Sequence, residues 1–128
     1  MNKILATLSI GTLLVIAAPG VANAKGGGGK TVQGVCSAAS TSKLKVKADN
    51  PSVIQTEFEV DQNVVGDVWK VTISDNGSVV AHAKKTTAAP SGSFTVRKRI
   101  PDLAGTDMIT AAATNVSTGE TCSATISL

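Results

Sequence analysis

Few residues in this chain have the chemistry for catalysis. His82 is the only histidine, and Cys36 and Cys122 are the only cysteines. A Ser-His-Asp triad would have to use His82, with Ser91 or Ser93 as nucleophile and Asp75 or Asp107 as orienter. No Gly-x-Ser-x-Gly elbow, the strained turn that presents a hydrolase serine, occurs. Two cysteines and one histidine are too few for a zinc centre. Calcium needs several oxygens converging from close positions. Asp102 and Asp107 flank one loop, Asp49, Asp61 and Asp67 belong to another region, and no Asp-x-Asp-x-Asp run brings them together. Asp107 is expected to hydrogen-bond the backbone of its own corner. The sequence therefore yields no catalytic, cofactor or metal set, and the expectation is a non-enzymatic protein.

The cysteines point instead to a structural bridge and to an oxidising compartment. Lys3 opens the chain with a positive charge, residues 4–18 are almost uninterruptedly apolar, Pro19-Gly20 breaks the run, and Ala22-Asn23-Ala24 supplies small residues for a signal peptidase. That is a secretory signal over 1–24, too short in its apolar run for a membrane anchor. In an exported chain two cysteines are expected to join, Cys36 to Cys122. Closing a loop of that length stabilises by roughly 4–5 kcal/mol in the chain-entropy model. Residues 25–30, with four consecutive glycines, read as a flexible leader, since no strand precedes them and no helix follows to make a phosphate loop. Residues 31–128 suit one domain with a single core.

Charge and aromatics narrow the partners. Without Lys3, eleven basic residues stand against nine acidic ones, a net charge of +2 that calls for no nucleic acid. The cations are nonetheless grouped: Lys43, Lys45 and Lys47 alternate along one segment, Arg97 and Arg99 along another. They could form a face for an anionic ligand, or could pair with Glu57 and Glu59 in a structural ladder of cross-strand charges. The three aromatic side chains, Phe58, Trp69 and Phe94, all fall in the apolar phase of their segments. They read as core anchors and not as a stacking platform for sugar or single-stranded nucleic acid.

The elements that must position these residues are strands. From residue 31 onward, short runs rich in Val, Ile and Thr alternate with Gly, Asn, Asp, Pro and Ser clusters, and no amphipathic helix appears. A brief extended piece over 32–36 precedes seven strands, over 43–48, 53–60, 67–74, from 78 to about 84, 93–100, 108–115 and 122–128. The expected inward sets are Leu44, Val46, Ala48; Ile54, Thr56, Phe58, Val60; Trp69, Val71, Ile73; Phe94, Val96, Ile100; Ile109, Ala111, Ala113; and Cys122, Ala124, Ile126, Leu128. For the hairpin around Asn76-Gly77, burial favours a bulged turn pairing Ser74 with Ser78. That register sets Ile73 opposite Val79, Val71 opposite Ala81 and Trp69 opposite Ala83, with Val80, His82 and Lys84 outward. Lys84-Lys85 would protect the end of an edge strand. Asn76-Gly77-Ser78 and Asn115-Val116-Ser117 fit the N-glycosylation pattern, to which the bacterial look of the signal gives no weight.

Phe94-Thr95-Val96, Leu103-Ala104-Gly105-Thr106-Asp107 and Ile109-Thr110-Ala111-Ala112-Ala113 look like strand E, the corner and strand F of a known sandwich. Over most of 44–128 the chain resembles the immunoglobulin-like domains of bacterial secreted proteins, including fibronectin type III-like ones. The resemblance implies an antiparallel sandwich of about seven strands with sheet order A-B-E, which would set Glu57 and Glu59 between the two cationic strands. Two features depart from it. There is no tyrosine for a tyrosine corner, and the cysteines lie on the first extended piece and the last strand. The bridge is then a staple of the N-terminal segment, not a pin through the centre.

The function expected from these readings is an exported binding or envelope-associated module, monomeric or weakly associating, with no membrane span after signal cleavage. Its partner would be an extracellular protein or an envelope polymer, met through loops or an open sheet face. A small-ligand carrier, similar to the secreted enediyne-binding apoproteins of actinobacteria but without their two short-range disulfides, is the alternative. An extracellular hydrolase stands third and requires His82 within reach of a serine or carboxylate.

Overall fold

A computed structural model describes residues 29–128; the signal segment over 1–24 and residues 25–28 of the leader lie outside the described residues. Nine strands follow in chain order: β1 (Lys30–Gln33), β2 (Val35–Cys36), β3 (Thr41–Asn50), β4 (Val53–Asp61), β5 (Val68–Asp75), β6 (Ser78–Thr86), β7 (Ser93–Pro101), β8 (Met108–Asn115) and β9 (Thr121–Ser127). They form two antiparallel sheets, ordered β1-β3-β4-β7 and β2-β9-β8-β5-β6. The fold is an all-β sandwich with one disulfide, and β3-β4-β7 stand in the expected A-B-E order. Lys30 starts β1, so the first described strand begins inside the segment read as leader.

Period-two alternation builds the core, because successive side chains on a strand point to opposite faces. Leu44, Val46, Ile54, Phe58 and Val60 from one sheet meet Trp69, Val71, Ile73, Ile109, Ala111 and Ala113 from the other, all buried. Trp69 and Phe94 lie 5.9 Å apart between ring centroids and tilted by 51°, an arrangement that aromatic pairs favour. Ala48 is an exception to the expected inward set. It is exposed, because β3 carries an irregularity between Ala48 and Asn50 as it leaves the core.

The N-terminal segment changes sheets at Gly34. Lys30 to Gln33 pair with β3, whereas Val35 and Cys36 pair with β9. A side chain at position 34 would collide with Ser42 Oγ and the Ser123 carbonyl oxygen, so only glycine can make the crossing. Cys36 lands directly opposite Cys122 and is bonded to it across 86 positions of chain.

The β5–β6 hairpin departs from the expected register. Asp75 pairs with Ser78 across a two-residue turn in which Asn76 and Gly77 both have positive φ, 53° and 90°, as the tightest hairpins require. The extra residue sits one step further along. Ser74 opposes Val79 and Ile73 opposes Ala81, so Val71 meets Ala83 and Trp69 meets Lys85. Asn76 favours this solution because its side chain is engaged twice, donating to Thr106 O and accepting from Met108 N. The bulge turns Val80 half-buried onto the core and leaves Val79 exposed, while Ala81 and Ala83 still face inward. Burial was satisfied by a bulge inside the strand instead of one at the turn.

Candidate functional site: the outer face of the four-stranded sheet

With Leu44 and Val46 buried, alternation forces Lys43, Lys45 and Lys47 of β3 onto the outer face; β4 adds Gln55, Glu57 and Glu59, and β7 adds Arg97 and Arg99. The registers align them in rows. Lys43 stands opposite Glu59, Lys45 opposite Glu57 and then Arg97, and Lys47 opposite Gln55 and then Arg99. All five predicted cations are therefore brought to one surface.

The expected ladder of charges is only partly formed. Lys43 Nζ lies 3.6 Å from Glu59, and Arg97 Nη2 donates to Glu57 at 3.1 Å. Arg99 turns aside to Asp49 at 2.7 Å, a carboxylate that the strand pattern did not single out. Each of these pairs is exposed, so each stabilises by at most about 1 kcal/mol. Lys45 and Lys47 make no ion pair among the described residues. The row that would need a third carboxylate carries Gln55 instead. Between these groups runs a groove of about 470 Å³ lined by Lys45, Lys47, Gln55, Glu57, Arg97 and Arg99. Chemically it offers two ammonium groups without ion pairs, the guanidinium groups of Arg97 and Arg99 already engaged by Glu57 and Asp49, the Glu57 carboxylate and an amide.

The remaining candidates resolve into structural roles. Phe58 and Trp69 are completely buried and Phe94 nearly so, as core anchors. The indole N–H of Trp69 donates to Gln62 Oε1 at 3.0 Å; Gln62 Nε2 in turn donates to Asp67 Oδ2, which also accepts from Asn115 Nδ2. Those two donors, Asn115 first, hold the Asp67 carboxyl below its ordinary range. Asn115 is buried in this network and its Oδ1 accepts from Ser117 and Thr118 N–H, so it is occupied as a turn residue. His82 is exposed on edge strand β6 opposite Thr72, and its side chain makes no hydrogen bond among the described residues. Ser91 and Ser93 bond each other at 2.8 Å. The triad that the residue types permitted is thus not assembled.

Sequence reasoning missed Glu120. Its buried carboxylate accepts from Ala38 N–H, Ser40 N–H and Ser40 Oγ, tying the β2–β3 loop to the turn before β9. With Cys36 and Cys122 it makes a set of three potential metal ligands within 4.8 Å of one another, but the disulfide and those three hydrogen bonds occupy it. No local pattern announces Glu120, since its role depends on two loops meeting. Beside it a depression of about 360 Å³ opens between loops, lined by Ala38, Ala39, Gln62, Val64, Thr118 and Glu120 among others. Among the described residues no helix is long and apolar enough to cross a membrane. Comparison with protein-family models, with curated proteins and with solved structures finds no match to this chain.

Proposed function

We propose that the protein is exported and acts as a non-enzymatic binding module that holds an anionic polymer of the cell exterior on the outer face of the β1-β3-β4-β7 sheet. The observation that carries this reading is Lys45 and Lys47, which have no carboxylate partner and face Arg97 and Arg99 across the groove. Residues two apart on a strand stand roughly 6.5–7 Å apart. A row of cations at that interval suits a linear polymer bearing repeated phosphate, sulfate or carboxylate groups. Export rests on the segment over 1–24, and the Cys36–Cys122 bridge is compatible with it.

Binding of this kind is electrostatic and weakens as salt rises. On immobilised dextran sulfate and polyphosphate the chain should be retained at low salt. Lys45→Glu with Lys47→Glu should weaken binding by at least about tenfold, the equivalent of roughly 1.4 kcal/mol. Lys84→Glu with Lys85→Glu, the same charge change on edge strand β6, should leave most of it. Equal losses in the two double variants would mean that net charge alone is read, and the proposal would fall.

A second reading, the small-ligand carrier, is favoured by the depression beside Glu120, whose rim includes Ala38, Ala39 and half-exposed Val64. Saturable quenching of an apolar dye, abolished by Ala39→Glu, would support it.

A further inference from the structure

The cations on the outer face of the four-stranded sheet are not equivalent, because the register gives each row a different middle residue. β4 lies between β3 and β7, so every row passes from a β3 residue through a β4 residue to a β7 residue. Lys43, Glu59 and Thr95 make one row, Lys45, Glu57 and Arg97 the next, and Lys47, Gln55 and Arg99 the last. Alternation sets successive rows roughly 6.5–7 Å apart, and two strand spacings set the β3 and β7 backbones of one row about 9.5 Å apart.

In the first row Lys43 lies 3.6 Å from Glu59, and Thr95 adds no charge. In the second, Glu57 stands between two cations and is engaged by Arg97 at 3.1 Å. In the third the middle residue is an exposed amide, Gln55. Asp49, the carboxylate that reaches Arg99 at 2.7 Å, does not line the groove, whereas Glu57 does. A guanidinium carries five N–H donors, so Arg99 keeps others for a ligand while Asp49 holds it in place. Lys98, opposite Thr56, lines the groove between these two rows and favours neither.

An anion laid over the third row meets Lys47 on one side and Arg99 on the other. Beneath it lies a neutral amide that can both donate and accept. The same anion moved one row along lies over Glu57, where like charges repel.

We propose, on the reading of this face as a binding surface, that Lys47, Gln55 and Arg99 form its one anion seat and that Glu57 beside it selects a polysaccharide whose acidic groups are separated by neutral sugars. A neutral ring over Glu57 offers its carboxylate a hydroxyl donor, which an ionised phosphate or sulfate lacks. A polymer charged on every unit, such as polyphosphate, is attracted by the summed charge but must set an anion against Glu57. Lys47 therefore outweighs Lys45, although neither makes an ion pair among the described residues.

The test is titration of the full chain and its variants with two probes at one low ionic strength. One is an oligosaccharide of hyaluronan, in which a carboxylate sugar alternates with a neutral one, and the other is polyphosphate. Lys47→Ala should weaken hyaluronan binding about fivefold and Lys45→Ala less than about twofold, on the scale of exposed ion pairs. Glu57→Gln should raise polyphosphate affinity about fivefold and leave hyaluronan binding within about twofold. Gln55→Glu, which puts a carboxylate into the seat, should weaken both probes at least about tenfold. Equal losses in the two lysine variants, or an equal gain for both probes in Glu57→Gln, would show a face that attracts by summed charge alone. Either result would overturn the seat and leave the binding surface standing. Binding of polyphosphate but not hyaluronan would overturn the selection. Failure of both probes to bind the wild-type chain would remove the surface, and the seat with it.

Discussion

The two ends of the sandwich handle buried carboxylates in opposite ways. At the end where β5 begins, Asp67 accepts from Gln62 and Asn115, and Glu120 accepts from three donors beside the Cys36–Cys122 bridge. At the end where β5 stops, Asp75 has no donor and faces Asp107. One end is tied, and at the other a buried carboxyl is left without a donor. The contrast turns on whether the fold itself supplies the donors that burial demands.

Three substitutions sharpen the contrast, taken from the largest effect to the smallest. Replacing both Cys36 and Cys122 by alanine should cost roughly 4 kcal/mol by chemical denaturation, since the bridge closes a long loop. A loss under about 1 kcal/mol would mean that the β2–β9 pairing and Glu120 hold the segment unaided. Asn115→Ala should cost about 1–3 kcal/mol, because it removes a donor from Asp67 and an acceptor from two turn N–H groups. Asp75→Asn should act in the opposite direction at the other end. Near neutral pH it should raise Tm by a few degrees, and the gain should vanish in acid, where Asp75 is already protonated. A destabilising Asp75→Asn would erase the difference between the two ends.

Much of this was legible in the sequence, and the failures are specific. Alternation located all seven main strands, the inward aromatics and the cationic face, because a half-buried strand writes its burial into every second residue. The same rule carried further would have found Asp75 and Asn115, which follow Ile73 and Ala113 in phase; polarity kept Asp75 in the turn and Asn115, at the end of its strand, out of the inward set. The hairpin register was missed because a bulge at the turn and a bulge at Val80 both bury Ala81 and Ala83. Only the engagement of Asn76 with Thr106 and Met108 distinguishes them, and that contact spans about thirty residues of chain. Arg99 was assigned to the right face, but its partner Asp49 lies at the irregularity in β3, where alternation no longer applies.

The outer face differs from both ends, since its charges are exposed and their pairing contributes little to stability. Under the proposed function, Lys45 and Lys47 bear on binding more than on folding. Backbone amide shifts of the isotopically labelled chain, followed by NMR while polyphosphate is added, test that claim most directly. Salt-sensitive shifts are expected at Lys45, Lys47, Gln55, Arg97 and Arg99, with β6 and the loops beside Glu120 unmoved. Shifts confined to those loops, or spread evenly over every lysine and arginine, would contradict it.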